Sequence, residues 1–289
     1  MARKKGGGKG RQRARQRAQY DELDKYPVMP PHAFARIVRD KQTLNIIYQI
    51  IEPPLTKKEQ EQRDEIMDIF IRSLTANIEE IDSNPEAYVR TAMDKVIKSY
   101  SMKINKKSKS KLFYYLRRDL IGYGKMDVLM NDVNVEDISL DGTNVPIFAY
   151  HRKFESVETT CVWETDEELE SYVIKLAQRC GKHISVAEPL LDATLMDGSR
   201  IVMKLGHEIS TRGSAFCIRR FKDDPFSPAD IVAFRTMSSL MTAYLWIAFQ
   251  NEVPMLFVGG TASGKTTTLN AMCIFIPWQM KIVSIESTR

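Results

Sequence analysis

Leu256-Phe257-Val258-Gly259-Gly260-Thr261-Ala262-Ser263-Gly264-Lys265-Thr266-Thr267-Thr268 reads as an apolar strand run, a glycine-rich turn and a helix start. Gly259, four residues, then Gly264, Lys265 and Thr266 have the spacing of a nucleoside-triphosphate phosphate loop. The residue types follow from the task. Gly259, Gly260 and Gly264 let the backbone curl so that successive N–H groups of Thr261, Ala262, Ser263 and their neighbours point at phosphate oxygens. The helix that follows turns its positive end toward the same anion. Lys265 then reaches the β- and γ-phosphates, the Thr266 hydroxyl binds Mg²⁺, and Thr267 completes the first turn. ATP and Mg²⁺ are therefore the expected ligands.

The flanks suit this reading. Pro254-Met255-Leu256-Phe257-Val258 predicts a buried strand, and Leu269, Ala271, Met272, Ile274 and Phe275 predict a packed helix after the loop. Leu240 to Phe249 is the longest apolar candidate, too short for the ~18 residues that span a bilayer, so it reads as a core helix. The basic N-terminus has no apolar stretch behind it, unlike a secretory signal. Cys161, Cys180, Cys217 and Cys273 lack C-x-x-C spacing, which argues against a zinc site or a disulfide frame. A cytoplasmic location is expected.

With 289 residues, 43% of them hydrophobic, the chain has material for two domains. Its net charge of +5 is uneven, because residues 1–18 hold eight basic side chains and no acidic one. Residues 1–19 are too polar to offset the entropy of ordering and are expected to form a disordered tail. That tail could touch anionic lipid.

Pro27, Pro30, Pro31, Pro53 and Pro54 predict an irregular segment over 20–56. Ile66, Ile69, Phe70, Leu74, Ile78 and Ile81 then recur at helical spacing. Asn84-Pro85 opens a second helix through Tyr88, Val89, Met93, Val96 and Ile97. A third runs from Leu112 to Leu120 behind Lys103, Lys106, Lys107, Lys109 and Lys111. Residues 57–120 thus read as a helical bundle with a basic face. Asp141-Gly142 and Asp197-Gly198 mark hairpins, and Thr165 caps a helix ending at Gly181. Residues 121–221 read as an α+β domain, and Lys222 to Pro228 as a linker. From 229 to 289, two helices precede the loop, and Lys281-Ile282-Val283-Ser284-Ile285 reads as a further strand. Glu286 is the candidate catalytic acid beside Lys265. The expected fold class is α/β: a helical and α+β front part, then an incomplete RecA-like core. The chain reads as the front of a longer protein.

Several linked blocks carry a family resemblance. Pro189-Leu190-Leu191-Asp192-Ala193-Thr194-Leu195-Met196-Asp197-Gly198-Ser199-Arg200-Ile201, Ile209 to Ser214, and Gly259 to Asn270 resemble archaeal type II/IV secretion ATPases, the archaellum and type IV pilus assembly motors. Arg118 to Gly124 and Glu136-Asp137-Ile138-Ser139 are similar to the same family's entry segment. The resemblance covers roughly residues 112–289. It implies a homo-hexameric ring ATPase acting on a polytopic membrane platform protein at the inner face of the cytoplasmic membrane. It also implies that front-domain arginines approach the γ-phosphate; Arg200, Arg212 and Arg219 match. The family's acidic box, Glu-Asp-Thr-Arg, is Glu286-Ser287-Thr288-Arg289 here, so Ser287 supplies no carboxylate. Alone, the chain is expected to lack hydrolytic competence.

Two other readings compete: a nucleic-acid translocase or packaging ATPase with the tail on phosphate, and a non-catalytic nucleotide-binding assembly module. The tail has no interleaved aromatics for base stacking, so no specific nucleic-acid partner is expected.

Overall fold

The prolines of the N-terminal stretch sit where strands tolerate them. In the computed structural model, which describes residues 19–73, 84–220, 226–260 and 263–285, the segment expected to be irregular forms three antiparallel strands. These are β1 (Tyr20–Met29), β2 (Ala33–Asp40) and β3 (Ile46–Ile51). Pro27 lies on edge strand β1 beside a register shift, where a missing N–H breaks no inner ladder. Pro30-Pro31 occupies the β1–β2 turn, and Pro53-Pro54 follows the end of β3. Within β2 the inner positions Ala33, Ala35 and Ile37 are buried and alternate with Phe34 and Arg36.

Among the described residues, three helices follow: α1 (Lys57–Ser73), α2 (Pro85–Ser99) and α3 (Lys106–Leu120). Asn84 caps α2 by accepting from Ala87 N at 3.1 Å, and Asn105 caps α3 by accepting from Ser108 N at 2.7 Å. Ile66 and Phe70 meet Val89, Met93, Val96, Leu112 and Leu116 in a shared apolar cluster. The predicted helical positions Leu74, Ile78 and Ile81 lie outside the described residues, as does the N-terminal tail to residue 18.

A short helix α4 (Asp127–Asn131) leads into β4 (Val135–Leu140), β5 (Pro146–His151) and β6 (Glu155–Val162). Then come α5 (Asp166–Arg179), β7 (Leu190–Thr194), β8 (Arg200–Lys204) and β9 (Ala215–Arg219). Thr165 caps α5 through Glu168 N at 3.3 Å. All nine strands join one sheet in the order β1-β2-β3-β6-β5-β4-β9-β8-β7. Every pairing is antiparallel except β3 with β6, which is parallel through Ile47↔Glu158 and Tyr48↔Thr159. Leu169, Val173, Leu176 and Ala177 of α5 join the main core with Ile138, Ile147, Ile201 and Ile218 from the sheet. Trp163 is fully buried there, its ring 4.9 Å from Tyr172 and 6.0 Å from Phe216.

The opposite sheet face is open. Register places Tyr150, Asp137, Arg219 and Arg200 in one cross-strand row, and Phe148, Ser139, Cys217 and Val202 in the next. Phe148, Tyr150 and Val202 are exposed. The fold is mixed α/β.

The chain divides at Phe221/Lys222 into two compact units. The second contains α6 (Pro228–Ala233), α7 (Ser239–Gln250) and α8 (Lys265–Met272). Ser227 and Asp230 form a reciprocal capping box at α6. Ile231, Ala271 and Met272 form its small core, with Phe226, Leu245, Phe249 and Phe275 packed around it. The two runs expected to be strands, 254–258 and 281–285, join no ladder among the described residues. Leu256 is 87% exposed and Ile285 97%. A run apolar on both faces is held as a strand only by flanking strands, and no strand is described in this unit. Among the described residues, no helix is long and apolar enough to cross a membrane.

Candidate nucleotide-binding site

The candidate phosphate-loop residues lie around the start of α8. Gly264 adopts φ +84° at the N-cap of α8, a conformation an L side chain enters only with strain. No side chain caps that helix, so its first N–H groups are left to solvent or a ligand. A Cβ on Gly260 or Gly264 would meet nothing within 4 Å, whereas one on Gly259 would stand 2.4 Å from Ser263 Oγ. Gly259 thus packs closely against the Ser263 side chain, and the other two border open space. Ser263 Oγ donates to Gly260 O at 2.9 Å, and Lys265 Nζ donates to the same carbonyl at 2.6 Å. The lysine is folded back over the loop, with its ammonium held by a neutral acceptor. Thr266 and Thr267 are exposed on the first turn of α8. Thr261, Ala262 and Glu286 lie outside the described residues, as does most of the linker, 222–225.

The three candidate arginines do not form one group. Arg200 and Arg219 face each other in register on β8 and β9, on the open sheet face. Each is held by an aspartate: Arg200 Nη2 lies 3.3 Å from Asp192 Oδ2, and Arg219 Nε lies 3.2 Å from Asp137 Oδ1. Arg212 belongs to the loop between β8 and β9, at the other end of that hairpin. A five-residue strand covers about 14 Å, so one phosphate cannot touch both the pair and Arg212 within this unit.

Arg212 instead lines a separate concavity of about 500 Å³ with Thr143, Asp166, Glu167 and His207. Its loop is docked through the backbone. Thr143 N donates to Arg212 O at 3.2 Å, and Gly142, at φ +131°, passes so close that a Cβ there would stand 2.2 Å from that carbonyl. Beside it, Asp166 accepts from Thr143 Oγ1 and pairs with His207 Nε2 at 3.0 Å. The Thr143 hydrogen bond first, and His207 second, hold the Asp166 carboxyl below its ordinary value; the same carboxylate raises His207. Gly213, at φ +88°, packs against this pair. The Arg219–Asp137 and His207–Asp166 pairs join residues far apart in the chain, and Arg200 meets Asp192 only through the β7–β8 hairpin, so none shows as a sequence pattern. Among the described residues, no group of three or more His, Cys, Asp or Glu is placed to hold a metal ion.

Comparison with known proteins adds relatives without a described activity. No protein-family model matches the chain. It is 34% identical over 250 residues to the uncharacterized protein MJ0900 of Methanocaldococcus jannaschii, covering 86% of this chain and 44% of that protein. It is 42% identical over 164 residues to the uncharacterized protein MJ1288 of the same organism, covering 56% of this chain and 65% of that one. The chain therefore spans less than two thirds of the length of either relative. Among solved structures, the VirB11 ATPase from the Brucella suis type IV secretion system, in complex with sulphate, aligns over 53% of this chain and 54% of its own. The identity is 19% and the TM-score 0.31.

Proposed function

We propose that this chain is the nucleotide-binding part of a ring motor ATPase of the secretion and type IV pilus class, working as a hexamer against a membrane platform protein. The observation that carries this reading is the phosphate loop: a left-handed Gly264, an uncapped α8 and a lysine bent over the loop. The N–H groups at the start of α8 donate to phosphate oxygens. The Lys265 ammonium exchanges the Gly260 carbonyl for the β- and γ-phosphates, a gain because charge-assisted hydrogen bonds are about twice as strong as neutral ones. Bound Mg²⁺ would neutralise phosphate charge, and the Thr266 hydroxyl would hold it. The Arg200–Arg219 pair and Arg212 are two separate positive subsites that could read a γ-phosphate in different states of a motor.

Calorimetric titration with ATP–Mg²⁺ tests the proposal. Lys265→Ala should weaken binding by about ten- to a hundredfold, the loss of one charge-assisted contact of roughly 1.5–3 kcal/mol. Unchanged affinity in the variant would remove the phosphate loop from the site.

A further inference from the structure

The basic face of α3 has two sides with different electrostatics. On one side Arg118 and Lys111 are matched at short range. Arg118 Nη1 sits 2.8 and 2.9 Å from the two Glu52 carboxylate oxygens, and Lys111 Nζ donates to Pro54 O at 3.0 Å. On the other side, the β1–β2 turn, α2 and α3 enclose a cavity of about 580 Å³. Four cations line it (Arg90, Lys106, Lys109 and Arg117) against two carboxylates, Glu86 and Asp94.

Only Lys109 has a close partner there, with Nζ 2.6 Å from Asp94 Oδ1. Both guanidiniums share Glu86 at longer range: Arg90 Nη2 at 3.8 Å from one oxygen and Arg117 Nε at 3.7 Å from the other. These distances exceed a hydrogen bond. Arg117 Nη1 lies between the Met29 sulfur, 3.5 Å away and a weak acceptor, and Asp127 Oδ2, 3.6 Å away. Lys106 has no ion pair among the described residues. Guanidiniums whose carboxylate partners all stand 3.6 Å or more away leave room for a closer acceptor.

The walls set the rest of the ligand. Phe113, with the Arg90 guanidinium 4.3 Å over its ring, stands with Tyr114, Met93 and Pro30 around the cavity. Its volume falls in the range of metabolite-sized pockets, where apolar walls bind the body and a few polar groups orient it. Two guanidiniums and two ammoniums at one rim suit a dianion, because the planar forks of arginine match phosphate geometry.

We propose that this cavity binds a phosphate ester with an aromatic or alkyl body, through Arg90, Arg117, Lys106 and Lys109. Glu86 is the internal competitor that the phosphate displaces. The same chemistry could be presented by a soluble ester or by a phospholipid headgroup.

The test uses the full chain and isothermal titration with phenyl phosphate and inorganic phosphate. Phenyl phosphate should bind at least tenfold more tightly than inorganic phosphate. Arg90→Gln should weaken it about tenfold, and Glu86→Gln should tighten it severalfold. Because that second substitution gains affinity, misfolding cannot mimic it. Vesicles of phosphatidylglycerol added to the phenyl phosphate complex separate the sources: displacement assigns the cavity to a lipid headgroup, and none assigns it to a soluble ester. No binding of either anion, or equal binding that Glu86→Gln leaves unchanged, overturns the proposal.

Discussion

Trp163 and Trp278 sit in the two units under opposite conditions. The first is 1% exposed, between α5 and the sheet; the second is 89% exposed. The same contrast holds for apolar runs. Val157 and Ile218 are fully buried on strands with a neighbour on each side, while Val258 and Val283, equally apolar, are 80% and 70% exposed. Side-chain chemistry is alike in the two regions and burial is not. An apolar strand is buried by its neighbours, not by its own composition.

The largest expected effect tests that contrast directly. Trp163→Ala should destabilise the first unit by about 3–5 kcal/mol, since it empties a packed aromatic site. Trp278→Ala should stay within about 0.5 kcal/mol. Denaturant unfolding followed by circular dichroism measures both, and comparable losses would break the comparison.

A middle-sized effect lies at Gly142. Both its φ of +131° and the Arg212 carbonyl oppose a Cβ, so Gly142→Ala should cost about 2 kcal/mol or more. Gly181→Ala is the control, because that position has φ +66° but nothing within 4 Å of the added carbon. It should show only backbone strain, of order 1 kcal/mol. Equal losses would mean that the close approach to the Arg212 loop is unimportant.

The smallest effect is a pH dependence. His151 is buried; its Nδ1 accepts from Lys153 N at 3.1 Å, so its proton sits on Nε2, 2.9 Å from the Tyr26 hydroxyl. Tyr26 and Tyr48 both donate to Asp132 Oδ2, at 2.6 and 2.7 Å. Burial pushes the His151 pKa below the ordinary histidine value of 6.5, against the pull of Asp132 and Asp24. Burial first, then Asp132, raises both tyrosines. The unfolded chain therefore takes up a proton that the folded one refuses. Stability should be full above pH 6.5 and decline as pH falls from there toward the depressed value. Stability curves at pH 7.5 and 5.5 should show a smaller drop in His151→Gln than in the parent protein. An identical drop would remove His151 from the account.

Local chemistry was the legible part of the sequence. Asp141-Gly142 and Asp197-Gly198 do turn hairpins, and Asn84 and Thr165 do cap helices, because each signal is complete within a few residues. The glycine-rich turn is of the same kind: Gly264 takes its left-handed conformation ahead of α8. What escaped depends on partners far along the chain. Pro27 counts against a strand until the strand is known to lie at an edge, and the Ala33, Ala35, Ile37 alternation gains its meaning only from the face that the sheet buries. Likewise, Arg200, Arg212 and Arg219 look like one set in the sequence. Only the β8–β9 register shows that a hairpin's length divides them.

The parallel contact of β3 with β6 has a consequence for how the first unit assembles. Two registered pairs, Ile47↔Glu158 and Tyr48↔Thr159, are the whole ladder between the N-terminal meander and the other six strands. All three helices of the bundle lie between those strands in the chain, so this seam cannot zip up from a turn as the hairpins do. The entropy of closing so long a loop grows only slowly with its length, so the equilibrium penalty is modest, while high contact order slows the search. The meander pairs locally, whereas the β3–β6 seam, like the β4–β9 pairing, must be closed across a long stretch of chain. The Tyr26 and Tyr48 hydroxyls, reaching across to Asp132, latch the docked state.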